Sequence, residues 1–274
     1  MEQEKQARRT VNRVMLAFSL HLVLLLGTAL SGVPAYSVPG ICLVLVRFLL
    51  PILLLLAPPL RCERPQLCPD RRSGWLDLIP AWALLLLFGL LIPGSDQLPQ
   101  GPFPLLAIQL VVLTPILEEL LFRGLPLAHC KHFDKRVILL LLSLLFALLH
   151  SGYTKGYAFL AGLVLGIGLL LGRGLLFSVT LHACNNLTTL LFLYWKQSAP
   201  DAYLSYGVPI YRGFVCFLVI VGAVIAFLRA KRGCYHLPKQ ICETEDGAPL
   251  PPARLATPLS AVLLICFVLV TLLL

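Results

Sequence analysis

The sequence predicts an all-α, polytopic transmembrane helix bundle of about eight core spans, with a short ninth run at its carboxyl end that either spans or lies at the interface. Three observations lead there. Of 274 residues, 58% are hydrophobic and only 13% charged, roughly half the charged share that coats a soluble domain. The apolar residues fall in long runs, near the ~20 residues with which a helix crosses a bilayer. Lys and Arg gather in alternate loops between those runs, as the positive-inside rule expects. A soluble enzyme, a disordered chain and a disulfide scaffold are excluded.

In chain order the spans are Val14–Leu30, Val38–Leu60, Trp75–Pro93, Phe103–Arg123, Arg136–His150, Tyr157–Leu171, Leu175–Trp195 and Val208–Leu228, followed by the short run Leu259–Leu274. Several interior runs are short, so their helices are expected to extend into the flanking loops. With a cytosolic amino terminus, the inside segments hold Lys5, Arg8, Arg9 and Arg13, then Arg61, Arg64, Arg71 and Arg72, then Lys131, Lys135 and Arg136. Arg173, and then Arg229, Lys231, Arg232, Lys239 and Arg254, continue the series, whereas outside segments hold only Lys155, Lys196 and Arg212. The first run follows a basic leader but lacks a small-x-small cleavage site, and reads as an uncleaved anchor. The polar, Pro-rich stretch Arg229–Pro258 reads as a linker. The chain thus divides into residues 1–102 with the first three spans, 103–195 with spans four to seven, and 196–274 with the eighth span, the linker and the last apolar segment.

The net charge of +9 comes from 22 Lys and Arg against 13 Asp and Glu. No dense basic run or aromatic-basic interleaving accompanies it, so nucleic acid is not a partner; the lipid bilayer is. The nine cysteines form no CxxC pair. Cys42, Cys184, Cys216 and Cys266 lie in apolar runs, where Cys behaves as a small hydrophobe. The cluster His129-Cys130-Lys131-His132 lacks a second ligand pair at metal spacing, and no metal or other cofactor is expected. Gly162, Gly166, Gly168 and Gly172 in the sixth run read as small residues that let helices approach closely.

An ionisable side chain in hydrocarbon is costly, and so marks a functional site. Glu118 and Glu119 sit well inside the fourth run, in Ile116-Leu-Glu-Glu-Leu-Leu-Phe-Arg-Gly124. Arg123 follows Glu119 by four residues on the same helical face and can pair with it. Glu118 then lies roughly 100° around the helix, free to face a cavity, where it suits a general base acting on water. His150 closes the fifth run, and His182 and Asn186 share one face of the seventh at i, i+4 spacing. His21 and Arg47, in the first two runs, receive no role and Arg47 no partner. Depth decides whether these groups meet. Were the fourth helix to stop at Arg123, Glu118 would lie only about 7 Å from its end, against roughly 21 Å along the fifth for His150. Convergence therefore requires the helix to continue to near Lys131, with Arg123 buried and with Pro115 and Pro126 as kinks within it.

The ordered set Glu-Glu-x-x-x-Arg (Glu118, Glu119, Arg123), Phe-x-x-x-His (Phe146, His150) and His-x-x-x-Asn (His182, Asn186) resembles the CPBP family, which includes type II CAAX prenyl proteases and bacteriocin-processing and immunity proteins. The resemblance covers roughly residues 103–195. It implies an intramembrane glutamate protease, free of metal, that hydrolyses a peptide bond in a membrane-associated peptide or protein substrate, lipidated or not. Carried over by motif, Glu118 activates the water, His150 positions it, and His182 and Asn186 stabilise the oxyanion. Glu119 and Arg123 hold the site together, and Phe146 packs against it. The Phe-Arg-Gly ending of the first motif and the compact length are more similar to bacterial members. That favours a bacterial inner membrane, with the endoplasmic reticulum as the counterpart in a eukaryote. Two other functions fit the same residues: a zinc protease with Glu118, His150 and His182 as ligands, and a transporter or immunity factor using the acids as a proton relay.

Overall fold

The computed structural model describes residues 2–57, 65, 67–68, 72–92, 98–130, 132–150, 152, 154–235, 262 and 265. Among them the chain forms eight helices and no strand. These are α1 (Glu2–Leu30), α2 (Val38–Leu56), α3 (Leu78–Leu91, entered through the 3-10 turn Arg72–Asp77), α4 (Phe103–His129), α5 (Lys135–Leu148), α6 (Thr154–Leu170), α7 (Leu175–Ser198) and α8 (Pro200–Lys231). Six are long and apolar enough to cross a membrane. The protein is a multi-pass helical membrane bundle.

The continuation past Arg123 that convergence requires is present: α4 runs on to His129. The extension expected of the short interior runs fails for α5. Asp134 stops that helix at its start by accepting the Arg136 N–H at 2.9 Å, and the left-handed Gly152 (φ +49°) turns the chain beyond its end. At 1.5 Å per residue, the 14 residues of α5 reach about 21 Å, less than the ~30 Å hydrocarbon core. Of the run Leu259–Leu274, only Val262 and Ile265 are described, both helical; the rest lies outside the described residues.

Both prolines expected to kink α4 follow widened turns. A π-turn spans Ile108–Leu113 ahead of Pro115, a second spans Leu120–Gly124 ahead of Pro126, and α8 repeats the arrangement with Tyr203–Gly207 ahead of Pro209. A proline ring collides with the carbonyl four residues back. Opening the turn to i→i+5 bonding relieves the collision and lets one helix carry the chain past the ring. The bonds Thr114 N–H to Gln109 O, Leu125 N–H to Leu120 O and Val208 N–H to Tyr203 O show that register.

Two groups of helices flank α4 and α7. On one side, the stripe Ala7, Val11, Val14, Phe18 and Leu22 of α1 is buried with Phe48 of α2, Phe122 of α4 and Phe146 of α5, at the three-to-four spacing of a helix face. Ring centroids step from Phe18 to Phe122 at 5.2 Å and on to Phe146 at 5.5 Å. On the other, α3 packs on α6 and α7 through Leu85, Leu165 and Phe177, and on α8 through Ala83, Leu86, Val215 and Leu218. Gly162 and Gly166 face α5: a Cβ on Gly162 would lie 3.0 Å from that of Ser143, and one on Gly166 would overlap Leu139.

Buried polar contacts gather several loops and helix ends at shared levels. Asp77 is gripped by Arg229 through Nε and by Arg173 Nε at 2.7 Å, and it accepts the Tyr235 hydroxyl at 2.9 Å. Arg173 also donates to Cys234 O at 2.8 Å. Arg13 donates to Ala57 O, and His129 sets its two ring nitrogens against the carbonyls of Leu125 and Leu55. His129 is thereby occupied as a bridge between α4 and α2 rather than offered to a metal.

Candidate active site

α4 and α7 run antiparallel, and their register explains how residues far apart in sequence meet. Gly124 touches Leu175, Glu119 meets Ser178 and His182, and Leu110 meets Asn186. Gly124 keeps that approach close, since its absent Cβ would stand 3.2 Å from the Leu175 methyls.

The two glutamates have different surroundings. Glu119 is fully buried at 0% exposure and accepts from three side chains. Arg123, one turn along the same helix, donates to Oε1; His182 Nδ1 lies 2.9 Å from that oxygen; and the Ser178 hydroxyl donates to Oε2 at 2.5 Å. Removing a carboxylate from water is tolerated only with such compensation. Arg123, itself 1% exposed, lays its guanidinium 4.5 Å over the centre of the Phe146 ring, a cation–π contact. Glu118, by contrast, keeps 15% of its side chain exposed, with His182 Nε2 3.8 Å from its Oε2. That gap is too long for a direct hydrogen bond.

Glu119 thus fixes the orientation of His182. With Nδ1 turned to the Glu119 carboxylate, Nε2 is the nitrogen presented toward Glu118. Phe146 organises the remaining side. Its ring lies 4.6 Å from that of His150, 6.3 Å from that of His182 and 5.5 Å from that of Phe122. His150 is held through Nδ1, which lies 2.8 Å from Phe146 O, so Nε2 is its outward nitrogen.

Asn186 is placed by the π-turn. Pro115 has no N–H to give to Leu110 O, the carbonyl five residues back, and the Asn186 amide donates to that oxygen at 2.9 Å instead. One of its two amide hydrogens is spent there; the other is available.

Glu118, Glu119, Arg123, Phe146, His150 and His182 therefore form one contiguous cluster, and Asn186 lies one turn beyond it on α7. Sequence reasoning missed Ser178, which extends the His182/Asn186 face by one further turn; that four-residue spacing was its available signal. It also missed Asn185, whose Oδ1 accepts the Tyr157 hydroxyl at 2.8 Å and ties α6 to this part of α7. No spacing announces that pair. Among the described residues, no three His, Cys, Asp or Glu side chains are grouped to hold a metal ion.

Residues 100–188 match the family model described as Type II CAAX prenyl endopeptidase Rce1-like. The matched stretch contains every residue of the cluster. No curated protein and no solved structure matches the chain.

Proposed function

We propose, from the match of residues 100–188 to the Rce1-like type II CAAX prenyl endopeptidase model, that the chain is an intramembrane glutamate endopeptidase of the CPBP kind in which Glu118 makes water nucleophilic. The observation that carries this reading is the unequal treatment of two neighbouring acids. Glu119 is consumed by three donors, while Glu118 remains partly open beside an oriented imidazole. A base needs a free lone pair within reach of a water, and Glu118 is the acid in this cluster that has one.

Glu118 takes the proton of a water as that water attacks the peptide carbonyl. His150 Nε2 positions the water. The oxyanion is stabilised by His182 Nε2 and by the remaining Asn186 amide hydrogen. Pre-set donors of this kind lower the barrier because they need no reorganisation during reaction. Proton return from Glu118 to the leaving amine completes hydrolysis. Neither donor set requires a metal. The substrate is a membrane-associated peptide or protein, lipidated or not, and the basic loops face the cytosol.

The test is mass spectrometry of membrane peptides from cells carrying the wild-type chain or Glu118→Ala. Products that appear only with the wild type support the assignment and reveal the cleavage site. Identical peptide sets would refute it.

A further inference from the structure

Asp77 lies just ahead of α3, at the level where α6 and α8 end, and both of its oxygens are taken. Arg229 donates through Nε to Oδ1 and through Nη2 to Oδ2 at 3.0 Å. The Tyr235 hydroxyl also donates to Oδ1, and Arg173 Nε stands 2.7 Å from Oδ2. Two guanidiniums therefore face one carboxylate, and all three residues are more than nine-tenths buried. Among the described residues no second acid pairs with either arginine, so the cluster carries one surplus positive charge. A charge held away from water is costly unless an opposite charge meets it. Arg173 spends Nε on Asp77 and Nη2 on the Cys234 carbonyl at 2.8 Å, which leaves Nη1 without a hydrogen bond to any described residue.

A cavity of about 200 Å³ opens from this cluster, with Asp77, Arg173 and Tyr235 at its polar end. Its walls are apolar, with Ala81 and Leu84 on α3 and Val164 and Ile167 on α6. From Asp77 to Leu84 the α3 side runs about 10 Å into the bundle. Leu84 is 39% and Ile167 46% exposed, so the mouth is on the outer, lipid-facing surface. None of the residues grouped around Glu118 lines the cavity. Arg173 and Arg229 belong to segments that the positive-inside rule assigns to the cytosol, where the anionic headgroups of a membrane concentrate. A soluble anion would leave the apolar walls unused, and a lipid of zero net charge would leave the surplus charge unmet.

We propose that this slot binds an anionic phospholipid of the cytosolic leaflet, with its phosphate on Arg173 and part of one acyl chain between α3 and α6. The site is separate from the glutamate cluster, and its occupancy is measured without turnover, so it stands or falls independently of proteolysis.

The experiment releases the full-length protein from nanodiscs of equimolar phosphatidylglycerol and phosphatidylcholine and identifies the retained lipid by native mass spectrometry. The wild type should keep one phosphatidylglycerol in preference to phosphatidylcholine by at least about fivefold, the ratio expected of one basic charge at a membrane surface. Arg173→Gln should bring that ratio to parity while Asp77 keeps Arg229. Ala81→Phe fills the slot without touching the polar cluster and should lose the retained lipid outright, and it serves alone should Arg173→Gln not fold. Equal retention of both lipids by the wild type, or a wild-type preference kept by either folded variant, would overturn the inference. Displacement of the retained lipid by millimolar inorganic phosphate would mark a site for free anions and overturn it as well.

Discussion

Replacing Glu119 by Gln separates the structural acid from the proposed reactive one. The substitution preserves shape but removes the charge that faces Arg123, and it leaves Arg123, 1% exposed, without a counter-ion. It also replaces Oε2, the acceptor of the Ser178 hydroxyl, or turns that interaction around. Breaking one side of a buried ion pair costs about 3–5 kcal/mol. Glu118→Gln has no such consequence. Its side chain is 15% exposed and its nearest partner nitrogen is 3.8 Å away, so the loss should stay under about 1 kcal/mol. Unfolding of both purified variants in mixed micelles by titration with a denaturing detergent measures the difference. Glu119→Gln should unfold far earlier than wild type and Glu118→Gln beside it. Adding Arg123→Met to Glu119→Gln should recover much of the loss, because the orphaned charge is then gone. A Glu119→Gln protein as stable as wild type, or a Glu118→Gln protein that falls as far, would refute the division of labour.

Other consequences are open to measurement. Asn186→Ala should cost about 1–3 kcal/mol by leaving Leu110 O unsatisfied. That cost should shrink when Pro115→Ala restores an N–H to bond it; additive losses in the double-mutant cycle would show that the amide does not serve that carbonyl. Outside the membrane-spanning segments, burial and then the hydrogen bond to Asp77 raise the Tyr235 hydroxyl from 10.0 to about 12. Its contribution to stability is therefore complete below about pH 10 and is lost as pH rises toward about 12. Unfolding midpoints across that alkaline window should fall less for Tyr235→Phe than for wild type, and parallel curves would contradict the assignment.

Much of the architecture was legible because hydrocarbon enforces it. Backbone polar groups in a bilayer must bond within their own helix, so apolar run length reports span position directly. The Glu119–Arg123 contact was legible too, since four-residue spacing on a helix brings side chains together whatever the fold. The depth condition on α4 is local in the same sense: apolar sequence continues past Arg123, and Pro126 ends nothing once the turn widens. α5 was misjudged because its end is set by a cap and a left-handed glycine, and apolar periodicity does not report either.

Sequence by itself determined that the chain is a multi-helix membrane protein with a few costly polar groups in its spans, because burial energy and helix geometry act over a handful of neighbouring residues. Only the tertiary structure decided what those groups do to one another. The antiparallel register of α4 and α7 gives Glu119 its three donors and leaves Glu118 partly open. It hands the Leu110 carbonyl to Asn186, while the packing of α2 leaves the Arg47 Nε buried without a hydrogen bond to any described residue. Each of these depends on the rotation and depth of one helix against another, which are set by contacts between residues far apart in the chain.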